Sequence, residues 1–165
     1  MEETEKLMKQ AYQALADGDY PKALSRFEKV TKTEPSNPEG WYGKAEAGVL
    51  VPKVKTEDIL EAYKKAAELD PKNPMYHSSI GSFCVEAGLF NDAEAAYKKA
   101  AELDPDNAPY YYSEFGVEYF RRAPVVMEAY MDDKGEEMVM KKSLKYLLLA
   151  VGLDEEGALE LLKRK

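Results

Sequence analysis

The decapeptide AYKKAAELDP occurs at residues 62–71 and again at 96–105, a spacing of 34 residues (96 − 62). A chain that spells one stretch twice at that distance is solving one packing problem twice, so a repeat architecture constrains it before any other reading. Within the second copy Tyr97, Ala100, Ala101 and Leu103 fall on one side of a 3.6-residue helix, and Lys98, Lys99 and Glu102 on the other. Glu94 precedes Lys98 by four residues, as Glu61 precedes Lys65, the favourable order for exposed helix pairs. The lysines read as a solvated face.

Each decapeptide ends in Asp-Pro, and the residue before a proline is pushed out of the helical region. The punctuation recurs as Pro35-Ser36-Asn37-Pro38, Pro71-Lys72-Asn73-Pro74 and Pro105-Asp106-Asn107-Ala108-Pro109. Asparagine is a good N-cap, and proline in the first helical turn needs no amide donor. Each mark therefore ends one helix and starts the next. Between the marks, Asp17-Gly18-Asp19-Tyr20 and Ala87-Gly88-Leu89-Phe90 supply a second break, giving helix, glycine turn, helix.

On these residues the unit resembles the tetratricopeptide repeat, a 34-residue helix–turn–helix with small and large residues at fixed places. Residues 74–107 match best, with Ile80-Gly81, Gly88, Ala93, Tyr97, Ala100 and Pro105. Residues 4–37 carry Ala11, Gly18, Ala23, Phe27 and Pro35. Residues 38–73 carry Trp41, Ala45, Tyr63, Ala66 and Pro71, with Val51-Pro52-Lys53-Val54-Lys55 in place of the glycine turn. A fourth unit, 109–153, opens with Tyr112, Phe115-Gly116 and Tyr119. Its second helix is expected at 139–153, with Ser143, Leu147 and Ala150 in the packing places.

The resemblance implies an all-α, right-handed helical-hairpin solenoid forming one domain over residues 1–165. Small residues let helices approach and aromatics fill the gaps. No single unit buries its apolar face alone, so units stack. Two departures stand out. Residues 123–138 read as an insertion in the fourth unit, with Pro124 ending or kinking the preceding helix, a short helix within 125–131, and a turn at Asp132-Asp133-Lys134-Gly135. Residues 155–165 read as a capping helix, apolar at Ala158, Leu159, Leu161 and Leu162 and closed by Lys163-Arg164-Lys165.

Composition bounds the function. With 45% hydrophobic and 33% charged residues the chain has the balance of a folded protein. A formal charge of −8 speaks against phosphate-backbone binding, so no nucleic-acid partner is expected. The charged start MEETEKLMKQ does not look like a secretion signal, and the apolar run near 146–153 is far too short for a membrane span. Cys84 is the only cysteine, which fits a reducing cytoplasm, and its helix position suggests a buried thiol. His77 is the only histidine, so neither a histidine metal cluster nor a two-histidine relay is possible, and no glycine-rich phosphate loop appears. No catalytic residue, metal or cofactor is expected, and the chain is not read as an enzyme.

In proteins similar to this one, the first helix of every unit lines a concave surface that holds a peptide or partner helix. The corresponding places are Met8, Tyr12 and Leu15, then Tyr42, Glu46 and Val49. They continue with Met75, Ser78, Ser82 and Val85, then Tyr110, Ser113, Val117, Phe120 and Arg121. Tyr and Met suit protein contacts. One version of the family grips a chaperone's terminal carboxylate with asparagines, lysines and an arginine. The matching places here, Met8, Tyr12, Gly43, Met75 and Ser79, hold no cation, so that specificity is not expected. Tyr110, Tyr111 and Tyr112 lie about 100° apart around a helix, so at least one packs inward. The resemblance thus implies a module binding another protein or peptide. A self-associating homo-oligomer, using Val125, Val126, Met127, Tyr130 and Met131 or the last helix, stands as the alternative.

Overall fold

Several helix starts in this chain are set by a polar side chain next to a proline. The Asn37 carboxamide accepts a hydrogen bond from the Gly40 amide at 3.1 Å, and Pro38 opens the helix, where no donor is needed. The Asp19 carboxylate does the same for the Lys22 amide at 3.2 Å, with Pro21 in the first turn. At Gly18 and Gly88 the turns require φ of +76°, a left-handed backbone that glycine adopts without strain.

The protein's structure, a computed structural model, describes residues 2–163. Its helices are α1 (Glu2–Ala16), α2 (Tyr20–Thr33), α3 (Pro38–Val49), α4 (Thr56–Leu69), α5 (Pro74–Glu86), α6 (Phe90–Leu103), α7 (Ala108–Val126), α8 (Asp133–Ala150) and α9 (Glu155–Lys163). Short 3-10 turns occupy Pro105–Asn107 and Glu128–Tyr130, and no strand occurs among the described residues. The chain divides into two compact units, Met1–Tyr76 and His77–Lys165.

In the first unit α1 packs on α2, α2 on α3 and α3 on α4. The core gathers Met8, Ala11, Ala14, Ala23, Phe27, Val30 and Ala47, with Leu7, Leu15 and Leu24 at its margin. Phe27 is fully buried against Gly43, so close that a β-carbon there would overlap its ring. This is how α2 and α3 come together. Burying such a ring contributes roughly 1.5–3 kcal/mol. The expected Glu61–Lys65 pair does not form: Lys65 pairs instead with Glu68, at 2.9 Å.

In the second unit Tyr97 of α6 lies against Gly81 of α5, where a β-carbon would come within 2.6 Å of the ring. Phe115 of α7 sits edge-on to Tyr146 of α8 at 4.6 Å, and Tyr97 lies 5.9 Å from Phe115. All three rings are fully buried, as is Cys84. Of the exposed pairs expected from spacing, Glu94–Lys98 does form, at 3.0 Å.

Residues 123–138, expected as an insertion, are taken up by the end of α7, the Glu128–Tyr130 turn and the start of α8. Helix α7 runs through Pro124 to Val126, and α8 begins at Asp133, six residues before Val139 (139 − 133), and ends at Ala150. Pro124 removes one helical donor. Tertiary anchors hold its turn: Ala123 is fully buried, Phe90 packs edge-on to Tyr119 at 5.1 Å, and the Arg122 guanidinium donates to the Glu86 carbonyl at 2.9 Å. Asp132 is the cap of α8, accepting from the Gly135 amide at 2.8 Å, so the expected turn is a helix start. The short helix expected within 125–131 shrinks to the Glu128–Tyr130 turn. Helix α9 packs against α8. Arg164, Lys165 and the side chains of Leu161 and Leu162 lie outside the described residues.

Candidate functional site

Helices α1 and α3 bring tyrosines and carboxylates to one face of the first unit. Tyr12 projects from α1, is 42% exposed, and is braced edge-on by Phe27 at 5.3 Å. Tyr42 of α3 is half-buried, 6.0 Å from Tyr63 and 5.3 Å from Tyr76. One turn on, Glu46 accepts the Tyr63 hydroxyl at 2.6 Å. Burial raises the Tyr12 phenol, helped by Glu39, Tyr42 and Glu46. Burial likewise pushes Tyr76 up to about 12, with Glu39 and Asp70 adding to it. Tyr63 moves further in the same direction, through burial and then the Glu46 hydrogen bond. These phenols therefore stay protonated and act as hydrogen-bond donors beside carboxylates.

The other groove positions of this unit divide. Met8 and Leu15 pack in and against the core, while Val49 and Met75 are exposed. Below Tyr12 opens a recess of about 350 Å³, bordered by Thr4, Glu5, Met8, Glu34, Asn37 and Glu39. Sequence reading passed over Tyr63, Tyr76 and Glu39. Tyr63 occupies a repeat packing place, and nothing local marks the other two as neighbours of Tyr12 and Tyr42.

In the second unit Ser78 is half-buried and Ser82 exposed. Val85, expected on the groove, is 1% exposed and belongs to the core. It sits one position after Cys84, and both point into the packing of the unit. Tyr110 is exposed, and the Glu114 carboxylate beside it raises its phenol. Tyr111 is the buried member of the tyrosine run, donating to Asp104 at 3.2 Å. Tyr112 is half-buried near Tyr146, at 6.1 Å. Ser113 donates to the Tyr110 carbonyl at 2.9 Å, and Arg121 pairs with Glu118 at 3.1 Å. Val117 and Phe120 border an apolar recess of about 500 Å³, whose other wall is Met140, Leu144 and Leu147 of α8. Leu147, expected as a packing residue, is 38% exposed there because α9 leaves it uncovered.

Among the described residues no three histidine, cysteine or acidic side chains converge as a metal set. No helix among them is long and apolar enough to cross a membrane.

The family model for the tetratricopeptide repeat matches residues 8–50 and 57–108. None of the curated proteins matches the chain. Among solved structures, one described as the crystal structure of MamA superposes with a TM-score of 0.70 at 18% identity, covering 97% of this chain and 81% of its own. MamA from residue 41 to its end, from Desulfovibrio magneticus RS-1, gives 0.69 at 18% identity, covering 91% and 75%. The Sgt2 TPR domain from Aspergillus fumigatus gives 0.58 at 18% identity, covering 92% and 83%. At these identities the likeness is one of fold: an all-α array of helical hairpins packed in order.

Proposed function

The chain belongs to the tetratricopeptide repeat family, a family of protein-interaction scaffolds, and from that premise we propose that it binds a segment of another protein on the faces of its first helices. The observation that carries this reading is the exposure of large side chains there: Tyr12, Met75 and Tyr110 are each more than 40% exposed. Grouped exposed apolar side chains mark interaction sites, and tyrosine and methionine are enriched in protein contacts. Hydroxyl donors beside Glu46 and Glu114 add polar groups that fix the orientation of a bound segment. No step of this reading is catalytic. The test is peptide-array and calorimetric binding with the Tyr12→Ala, Tyr42→Ala, Tyr110→Ala triple variant. Affinity is expected to fall by about tenfold or more, as for loss of aromatic anchors. Undiminished binding by a variant that still melts cooperatively refutes the reading.

A second reading rests on a separate patch. Val125, in the last turn of α7, is 63% exposed, and Tyr130, in the α7–α8 connection, is 88% exposed. Such a surface suits association of two copies. Light scattering at high concentration that returns the monomer mass removes it.

A further inference from the structure

We propose that a second copy of this chain covers the apolar recess between α7 and α8, the two copies meeting face to face about a two-fold axis. The surface lies apart from Val125 and Tyr130, and apart from the tyrosines of the first helices. Val117 and Phe120 of α7 and Met140, Leu144 and Leu147 of α8 line it, and each is at least 38% exposed. The three α8 residues recur at i, i+4 and i+7, which sets them in one ridge beside the groove between the helices. Elsewhere the chain covers such faces itself: α3 packs on α2, and α7 on α6. Helix α9 touches α8 but leaves Phe120 and Leu144 open. Exposed apolar side chains gathered in this way mark an interaction site.

Charge decides what covers it. Arg121 of α7 lines the recess together with Glu137 and Lys141 of α8. Arg121 pairs with Glu118 at 3.1 Å, and Lys141 with Glu137 at 2.8 Å. Each helix thus brings one cation and one anion to the rim, on a chain whose formal charge is −8. Two copies of so acidic a chain repel one another in general, and least where the local charges cancel. A two-fold axis that sets α7 of one copy opposite α8 of the other brings Arg121 to Glu137 and Lys141 to Glu118, twice over. That is the self-complementary pattern an isologous contact needs.

The rim pairs face solvent, so they set register and orientation more than affinity. Affinity comes from the ridge. Leu144, central in it and 57% exposed, enters the groove of the opposite copy, and the flexible Met140 beside it fills what remains. A head-to-tail contact through α1 lacks such a match, because that helix exposes Glu5, Lys6, Lys9 and Gln13.

The test is sedimentation velocity and light scattering of the full chain from micromolar to millimolar concentration. A reversible monomer–dimer equilibrium is expected. Leu144→Glu is expected to keep its thermal transition, the position being exposed, and to weaken the dimer by roughly thirtyfold or more, as for loss of a central anchor. The Val125→Glu, Tyr130→Glu double variant is expected to dimerise unchanged. Arg121→Glu is expected to weaken the dimer several-fold, and Arg121→Glu combined with Glu137→Arg to restore it, because opposite charges then face each other again. A wild-type monomer at millimolar concentration overturns the proposal, as does a mass that keeps growing past the dimer. An unaffected Leu144→Glu beside a monomeric Val125→Glu, Tyr130→Glu variant overturns it in favour of the α7–α8 connection. A charge swap that stays as weak as Arg121→Glu overturns the two-fold facing of α7 and α8. None of these outcomes touches the partner-binding reading, which is tested at Tyr12, Tyr42 and Tyr110.

Discussion

Lys142 Nζ lies 2.8 Å from Glu94 Oε2, tying α8 to α6 across 48 residues of sequence. The other carboxylate oxygen accepts from the Tyr146 hydroxyl and from Lys98 Nζ at 3.0 Å. Burial by itself would raise the Glu94 carboxyl. Hydrogen bonds from Lys142, Tyr146 and Lys98 outweigh it and bring the pKa from 4.5 down to about 2. A carboxyl held low in the folded state contributes stability above its unfolded value and loses it as pH falls through the folded one. The contribution is therefore present above pH 4.5 and fades toward pH 2. Glu94→Gln should lower stability at neutral pH by about 2 kcal/mol, the scale of charge-assisted bonds. It should also flatten the acid-induced loss over that window. Circular dichroism melts at stepped pH read both, and an unchanged acid profile would contradict the network.

Gly43 decides how closely α2 and α3 pack. A β-carbon at that position overlaps the buried Phe27 ring, so Gly43→Ala should cost about 1–3 kcal/mol through forced repacking. Gly18 is the control, with nothing within 4 Å of a β-carbon and only its φ of +76° to strain. Gly18→Ala should cost about 1 kcal/mol. Urea unfolding ranks the two, and a harmless Gly43→Ala would remove the close-approach argument.

Pro124 sits in the last turn of α7, where its ring nitrogen has no hydrogen to donate. Pro124→Ala restores a helical donor and should leave stability unchanged or raise it by about 1 kcal/mol. Arg122→Ala removes the guanidinium from the Glu86 carbonyl and should cost about 1 kcal/mol. A marked loss on Pro124→Ala would mean that the proline itself shapes the connection to α8.

Helix α9 packs against α8 with Leu159 55% exposed, and it leaves Phe120 and Leu144 uncovered. Truncation after Leu153 should therefore move the thermal midpoint by no more than about 2 °C, a change of at most about 1 kcal/mol. A drop several times larger would assign α9 the end-capping role that its sequence suggests.

The candidate site was legible in part. Tyr12, Tyr42 and Tyr110 could be placed on first helices from spacing alone, because the period of the repeat fixes which positions share a face. Val85 could not be told from them. It has the right spacing, but its helix turns that position into the core. Tyr63 and Glu46 lie 17 residues apart and carry no local mark of the hydrogen bond between them.

The sequence by itself determined the helices and their order, because caps, prolines, glycine turns and the 3.6-residue period act over a few residues and need no distant partner. Tertiary structure alone decided that α7 continues through Pro124, that Glu94 gathers two lysines and a tyrosine, and that Glu5, Glu34 and Glu39 border one recess under Tyr12. Those outcomes depend on side chains far apart along the chain meeting at hydrogen-bonding and van der Waals distance. Such short-range forces are set by how neighbouring helices approach one another, which the order of residues along one helix does not specify.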